Sequence, residues 1–210
     1  MTSNATMAKA SRGRPKTMDR EQIITVAMQA YWREDVDSIS VNEICRCAEV
    51  SKPGLYREFG NEDGLMKAVL VAYLQQVLAP VSQLTAADAP FRATLDSLVS
   101  IVTRSGDAQF FSDAQAVPAG CLFVKMRESY RRLGEETRAE IDCAKAETLS
   151  GYEDWVERAR AKGEFTGDMS SRFAAIYIDA QLNNALSLLA RGEPTDEVKQ
   201  ILTVAFSMLG

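Results

Sequence analysis

SVNEICRCAEVSKPGLYREFGNEDGL, residues 40–65, reads as two short helices joined by a tight turn and followed by the start of another helix. Ser40 has the character of an N-cap, and Glu43 three residues on completes the capping-box spacing, so a helix is predicted over about 41–47. Ser51 or Lys52 opens the next helix, where Pro53 suits an early position because its missing N–H is not needed there. Gly60-Asn61 closes it, and Asn61 caps a further helix. Ile44, Ala48, Val50 and Leu55 carry the apolar spacing of a helix pair packed on itself. Between them, Ser51-Lys52-Pro53-Gly54 sets small, polar and basic groups at the end of a helix that, in a helix-turn-helix, meets the major groove.

Outward from this stretch the chain reads as helices. Residues 1–17 form a polar, basic arm in which Gly13 and Pro15 break any helix. A helix begins near Met18 or Asp19, with Ile23, Ile24, Ala27, Met28, Ala30 and Tyr31 as its stripe. After the quoted stretch, Glu62–Ala79 is helical, and Pro80 is expected to end or kink it. Further helices are predicted at Ala89–Arg104, Ala108–Ala114 (short), Cys121–Leu133, Glu135–Lys162, Ser170–Ala190, and from Thr195 or Asp196 through Leu209. No segment has strand character. The expected fold is all-α: an arm (1–17), a three-helix helix-turn-helix head (18–62) and a helical bundle (63–210).

Composition narrows the function. Residues 1–20 hold Lys9, Arg12, Arg14, Lys16 and Arg20 against Asp19 alone, whereas residues 61–210 hold 15 basic and 21 acidic side chains. The net charge of −5 therefore conceals a basic end on an acidic body. No run of 18 apolar residues occurs and the N-terminus lacks a signal-peptide core, so no membrane span is predicted and the cytoplasm is the expected compartment. The 4 cysteines match no zinc spacing and there is no histidine. They read as small apolar residues on helices, with a redox role for Cys121 or Cys143 as the alternative. With no nucleophile motif or metal-ligand cluster, an enzyme is not expected, nor a cofactor. Glu135, Glu136 and Glu140 fall on a solvated helix face.

Over about residues 13–70 the chain resembles the tetracycline-repressor (TetR) family of one-component bacterial regulators. The matching residues are Gly13-Arg14-Pro15, the apolar first helix, Ser40-Val41, Ile44, Ala48, Val50-Ser51, Leu55-Tyr56, Phe59 and Leu65. Residues 71–210 fit in length and helix pattern only, and Gly120-Cys121-Leu122 is similar to a motif in several branches of the family. The resemblance implies that Ser51 and Lys52 reach phosphates or base edges, beside Pro53, and that Gly54 lets the helix backbone approach the groove. Tyr56 is similar to the family tyrosine that donates its hydroxyl to a phosphate, and Arg57 can add a second contact. Ser40 and Val41 open the supporting helix, whose amides can hold a phosphate, and Asn42 sits where some members read a base. Arg12, Arg14 and Lys16 can follow the backbone or enter the minor groove, while a solvated tail is the alternative.

Three acids depart from the family pattern. Glu49 stands where a turn glycine is usual, which predicts a slightly different turn. Glu62 replaces a lysine found near a phosphate in many members, and Glu58 adds a second acid close to the expected groove. Both predict weaker binding, or a heavier reliance on the arm.

The family resemblance also implies a ligand cavity in the bundle, a homodimer and a double-stranded palindromic DNA operator released by a small-molecule effector. Candidate cavity residues are Leu95, Leu98, Phe110, Phe111 and Cys121, together with Phe123, Met126, Trp155 and Tyr177, although each also suits a core. Arg127, Tyr130 and Asn183 are candidate polar anchors. On the penultimate helix Phe173, Ile176, Tyr177, Ala180, Asn184 and Leu188 form one stripe, opposite a second apolar stripe. The last helix adds Ile201, Leu202, Ala205, Phe206 and Leu209, and helices apolar on two sides need two partners. A helical protein-binding adaptor, and a redox-responsive regulator acting through Cys121, are the alternatives to a ligand-responsive repressor.

Overall fold

Asp19 opens the first helix, its carboxylate accepting the amides of Glu21 and Gln22 at 3.0 and 3.3 Å. The structure is a computed structural model, and it describes residues 19–34, 36, 38–104 and 120–209. Helix α1 (Arg20–Arg33) buries Ile23, Ile24, Ala27, Met28, Tyr31 and Trp32. Helices α2 (Val41–Cys47) and α3 (Lys52–Phe59) are each opened by a serine. Ser40 accepts the Glu43 amide and Ser51 the Gly54 amide, both at 3.2 Å. The Glu43 carboxylate pairs with Arg46 at 3.4 Å instead of closing the capping box.

Asn61 caps α4 (Glu62–Tyr73) by accepting the Gly64 amide at 2.8 Å. Gly64 is a matter of space: a Cβ there would lie 2.0 Å from the Phe59 carbonyl oxygen, so only glycine lets α4 start so close to the end of α3. Pro80 does not end the helix; it stands in the first turn of an α-helical stretch that follows a π turn. A five-residue π turn, Leu74–Leu78, runs directly into α5 (Ala79–Ala86). The wider turn carries the chain to Pro80 in the first turn of α5, where a missing N–H is tolerated. The continuous helix Glu62–Ala86 is long and apolar enough to cross a membrane by length and composition, with mean hydropathy 1.4 over its most apolar window. Here it lies along α1 and the bundle, with Leu65, Val69, Leu70 and Tyr73 buried.

The bundle continues with α6 (Phe91–Val102), α7 (Leu122–Glu128), α8 (Glu135–Ala161), α9 (Ser171–Ala190) and α10 (Thr195–Phe206). Among the described residues there is no strand, and the fold is all-α. The helix expected over Cys121–Leu133 is shorter: α7 stops at Glu128 and a 3₁₀ turn, Tyr130–Arg132, follows. Pro194, rather than Thr195 or Asp196, precedes α10, which tightens into a 3₁₀ turn at Ser207–Leu209. The short helix expected over Ala108–Ala114 lies outside the described residues.

Two apolar cores result. One joins α1–α4 to α7 and the first half of α8, around Leu55, Leu65, Leu122, Met126 and Ile141. The other joins α6, the second half of α8, α9 and α10, around Leu95, Trp155, Ile178 and Leu202.

Candidate nucleic-acid interface

Helix α3 sets its chemistry by capping and packing. Leu55 and Phe59 are buried and anchor it to the head, and Gly54 is buried as well. Lys52, Tyr56 and Arg57 remain accessible at i, i+4 and i+5, with Ser51 and Pro53 exposed at the helix start. On α2, Ser40 and Asn42 are exposed, whereas Val41 is buried and offers only its backbone outward. Glu49 takes φ 54° in the turn between α2 and α3. The turn thus keeps a left-handed residue despite the missing glycine, at a backbone cost that glycine avoids. Arg12, Arg14 and Lys16 lie outside the described residues.

The charges of this face are largely self-paired. The Tyr56 hydroxyl donates to Glu62 Oε1 at 2.9 Å. Lys52 Nζ lies 4.0 Å from the same oxygen and 5.4 Å from the Tyr56 ring centre. Arg20 pairs with Glu58 at 3.3 Å and sits over Phe59 at 5.2 Å. A hydroxyl and an ammonium on α3 and a guanidinium at the start of α1 are donors of the kind that hold phosphate oxygens. The two acids noted in the sequence do more than lie near them, since they take their hydrogen bonds and charge.

A cavity of about 410 Å³ opens in the bundle below this head. Of the residues expected there, Leu98, Cys121 and Phe123 line it, with Arg127 and Asn183. Leu95 and Met126 are instead fully buried in the two cores. Trp155 turns away to pack against Phe91, ring centres 4.6 Å apart and tilted by 43°. Tyr177 faces α10, donating its hydroxyl to the Ala205 carbonyl at 3.1 Å. Tyr130 donates to Asp142 at 2.6 Å. Phe110 and Phe111 lie outside the described residues. Sequence reading missed Trp32, because α1 read as part of the head, and missed Tyr73, Val77 and Leu78, because none of the expected cavity residues was placed on the bundle helix that carries them. The signal available was Trp32, a large ring one step beyond the stripe that the head itself requires.

The polar part of the lining includes Arg104, Thr103, Thr148 and Thr195, and several of its other polar groups pair with one another. Arg127 makes a two-pronged pair with Asp179 at 3.2 and 3.0 Å, and Asn183 donates to the Asp179 carbonyl at 2.6 Å. The Tyr73 hydroxyl donates to Cys121 Sγ at 3.1 Å. Burial pushes the thiol of Cys121 and the phenol of Tyr73 above their ordinary ranges, so both stay neutral.

The last two helices present an unpartnered apolar face. Phe173, Ile176 and Ile201 are exposed, with Ala180 and Asn184 beside them and Leu188 half-buried. Leu202, Ala205, Phe206 and Leu209, expected on the same surface, point inward and complete the second core. Val204 and Met208, 62% and 67% exposed, stand in their place. Both stripes of α10 are apolar, and periodicity alone does not say which one faces its own subunit.

Known proteins give the arrangement its context. Residues 23–69 match the profile described as bacterial regulatory proteins, tetR family. The chain is 29% identical to the HTH-type transcriptional repressor ComR of Escherichia coli over 124 residues, 59% of this chain and 56% of that one, so the match spans little more than half of ComR. It is 31% identical to the HTH-type transcriptional repressor BdcR of Escherichia coli over 165 residues, covering 78% of this chain and 81% of BdcR. The fold is that of reduced Escherichia coli NemR, with TM-score 0.75, 17% identity, and 91% and 97% of the two chains covered. It is also that of the TetR family regulator CifR solved with 26 bp operator DNA, with TM-score 0.75, 22% identity, and 94% and 100% covered. Head, bundle and sequence agree across these comparisons, and the chain belongs to the tetR family of bacterial regulatory proteins.

Proposed function

We propose that this protein is a homodimeric transcriptional repressor that binds a palindromic DNA operator and is released by a small molecule. The observation that carries the reading is the accessible row Lys52, Tyr56 and Arg57 on a capped α3, within the region that matches the family profile. In this reading residues 18–62 are the DNA-reading head, the arm 1–17 adds backbone contacts, and residues 63–210 bind effector and partner. The exposed face of α9 and α10 supports a twofold dimer, which would place two α3 helices about one DNA turn (~34 Å) apart. The 410 Å³ cavity has a mostly apolar lining in which Arg127 is neutralised by Asp179, with Arg104, Thr103 and Asn183 as further polar groups, and it suits a mostly apolar effector that carries some polar function. Such a molecule acts only through unequal affinity for the DNA-bound and free states. The compartment is the cytoplasm, where DNA and effector meet, and the role is regulatory rather than enzymatic.

Selection of duplexes from a randomised pool by the purified protein tests this reading. Enrichment of an inverted repeat, lost in Lys52→Ala and reduced in Tyr56→Phe, is the expected result. Weak binding with no preferred sequence sinks it. A redox role for Cys121 has less support, because the buried, hydrogen-bonded thiol is held neutral.

A further inference from the structure

We infer that Glu62 acts as an internal stand-in for a DNA phosphate, holding the donors of α3 in a self-paired state that weakens duplex binding; this rests on the DNA-binding reading of α3. Glu62 is the first residue of α4, a 12-residue helix whose Gly64 amide is taken by Asn61. Its carboxylate reaches back to α3, accepting the Tyr56 hydroxyl at 2.9 Å with Lys52 Nζ 4.0 Å away. A hydroxyl and an ammonium are groups that together recognise a phosphate oxygen. Here a carboxylate, an anion whose oxygens accept from the same donors, already occupies that place. A phosphate arriving on Tyr56 and Lys52 must turn Glu62 away or accept its repulsion.

The pair does little for the fold. Glu62 and Lys52 side chains are 63% and 42% exposed, a setting in which ion pairs are screened and nearly neutral for stability. The acid's effect therefore falls on binding. One arm of the same face behaves alike: Glu58 occupies Arg20, so a second cation of the head is also neutralised from within. Such a face releases fewer counterions from DNA than its lysines and arginines suggest, and its affinity falls less steeply with salt.

The test uses the full chain and a fluorescein-labelled random-sequence duplex of about 30 bp, read by anisotropy across a salt series. Glu62→Gln removes the charge and keeps the shape. It should bind roughly 3- to 30-fold more tightly at low salt, with log K against log salt steeper by about 0.9 per bound protomer. Thermal unfolding should be unchanged. Tyr56→Phe should weaken the Glu62→Gln variant more than it weakens the parent, whose hydroxyl is already held; a purely structural tyrosine would cost both equally. If Glu62→Gln keeps the parent's affinity and salt slope, or binds less tightly, while Lys52→Ala still weakens binding, the inference alone is overturned. If no variant binds duplex at low salt, the inference falls together with the DNA-binding reading.

Discussion

The Asp63 carboxylate accepts the Thr137 backbone amide at 3.1 Å, together with that of Glu136 at 2.8 Å, so the first turn of α4 caps the first turn of α8. The residue at α8's own N-cap, Gly134, has no side chain to do so. A Cβ at Gly134 would lie 2.1 Å from Asp63 Cγ, so this glycine is required by close approach. Lys67 and Glu136, 3.5 Å apart, add a second tie. The joint fastens the helix that follows the head to the longest helix of the bundle.

Gly134→Ala should push Asp63 off the α8 amides and lower unfolding stability by about 1–3 kcal/mol in urea titrations. Asp63→Ala should cost about 1–2 kcal/mol. Since both disrupt one cap, the double variant should be little worse than Gly134→Ala; full additivity would show that the two residues act separately.

Arg127 and Asp179, side chains 20% and 13% exposed, form a mostly withdrawn pair on the cavity wall. Asp179→Ala strands a guanidinium there and should cost roughly 2–4 kcal/mol, a little under the cost for a fully buried pair, because the cavity mouth admits solvent. Replacing both with apolar residues should recover most of the loss. Equilibrium unfolding of the three variants separates the outcomes.

Phe173→Glu combined with Val204→Glu places charge on the exposed α9 and α10 face while leaving the inward-facing Leu202 and Phe206 untouched. Light scattering after gel filtration should find the parent at twice the chain mass and the variant at the chain mass, with unaltered helical circular dichroism. A variant that stays dimeric puts the interface elsewhere.

Alkaline pH should destabilise the protein. Burial raises the pKa of Tyr31, Tyr73, Tyr152 and Cys121 in the folded state, so folding favours their protonated forms. That stability is complete below the unfolded values and is lost as pH rises through the folded ones, so the decline begins above roughly pH 9. Urea unfolding at stepped pH checks it, and a flat profile through the phenol range would contradict it. In thiol labelling the exposed Cys47 should react ahead of the buried Cys121.

Much of the fold was legible because its punctuation is local. Ser40, Ser51 and Asn61 cap helices through their own side chains, and such contacts are written in neighbouring residues. Pro80 was legible in part: the helix does not end there, but its α-helical pattern is interrupted by the π turn just before it, and nothing local announces a π turn. The face of α10 was half legible: Ile201 was found and Val204 missed, because the choice between two apolar stripes is made by α9. At the candidate interface the identities of Lys52, Tyr56 and Glu62 could be read, whereas their convergence depends on the approach of α4 to α3.

The π turn at Leu74–Leu78 gives the long helix two faces in succession. Before it, Leu65, Val69 and Tyr73 serve the core shared with the head; after it, Val81 and Leu84 serve the core of α9 and α10. One extra residue in a turn offsets everything beyond it by about 100° around the axis. Removing a single residue from this segment would therefore unseat one core while leaving the other in place. The same five residues supply Val77 and Leu78 to the cavity wall, so what fills the cavity touches the helix where its two halves are indexed to each other.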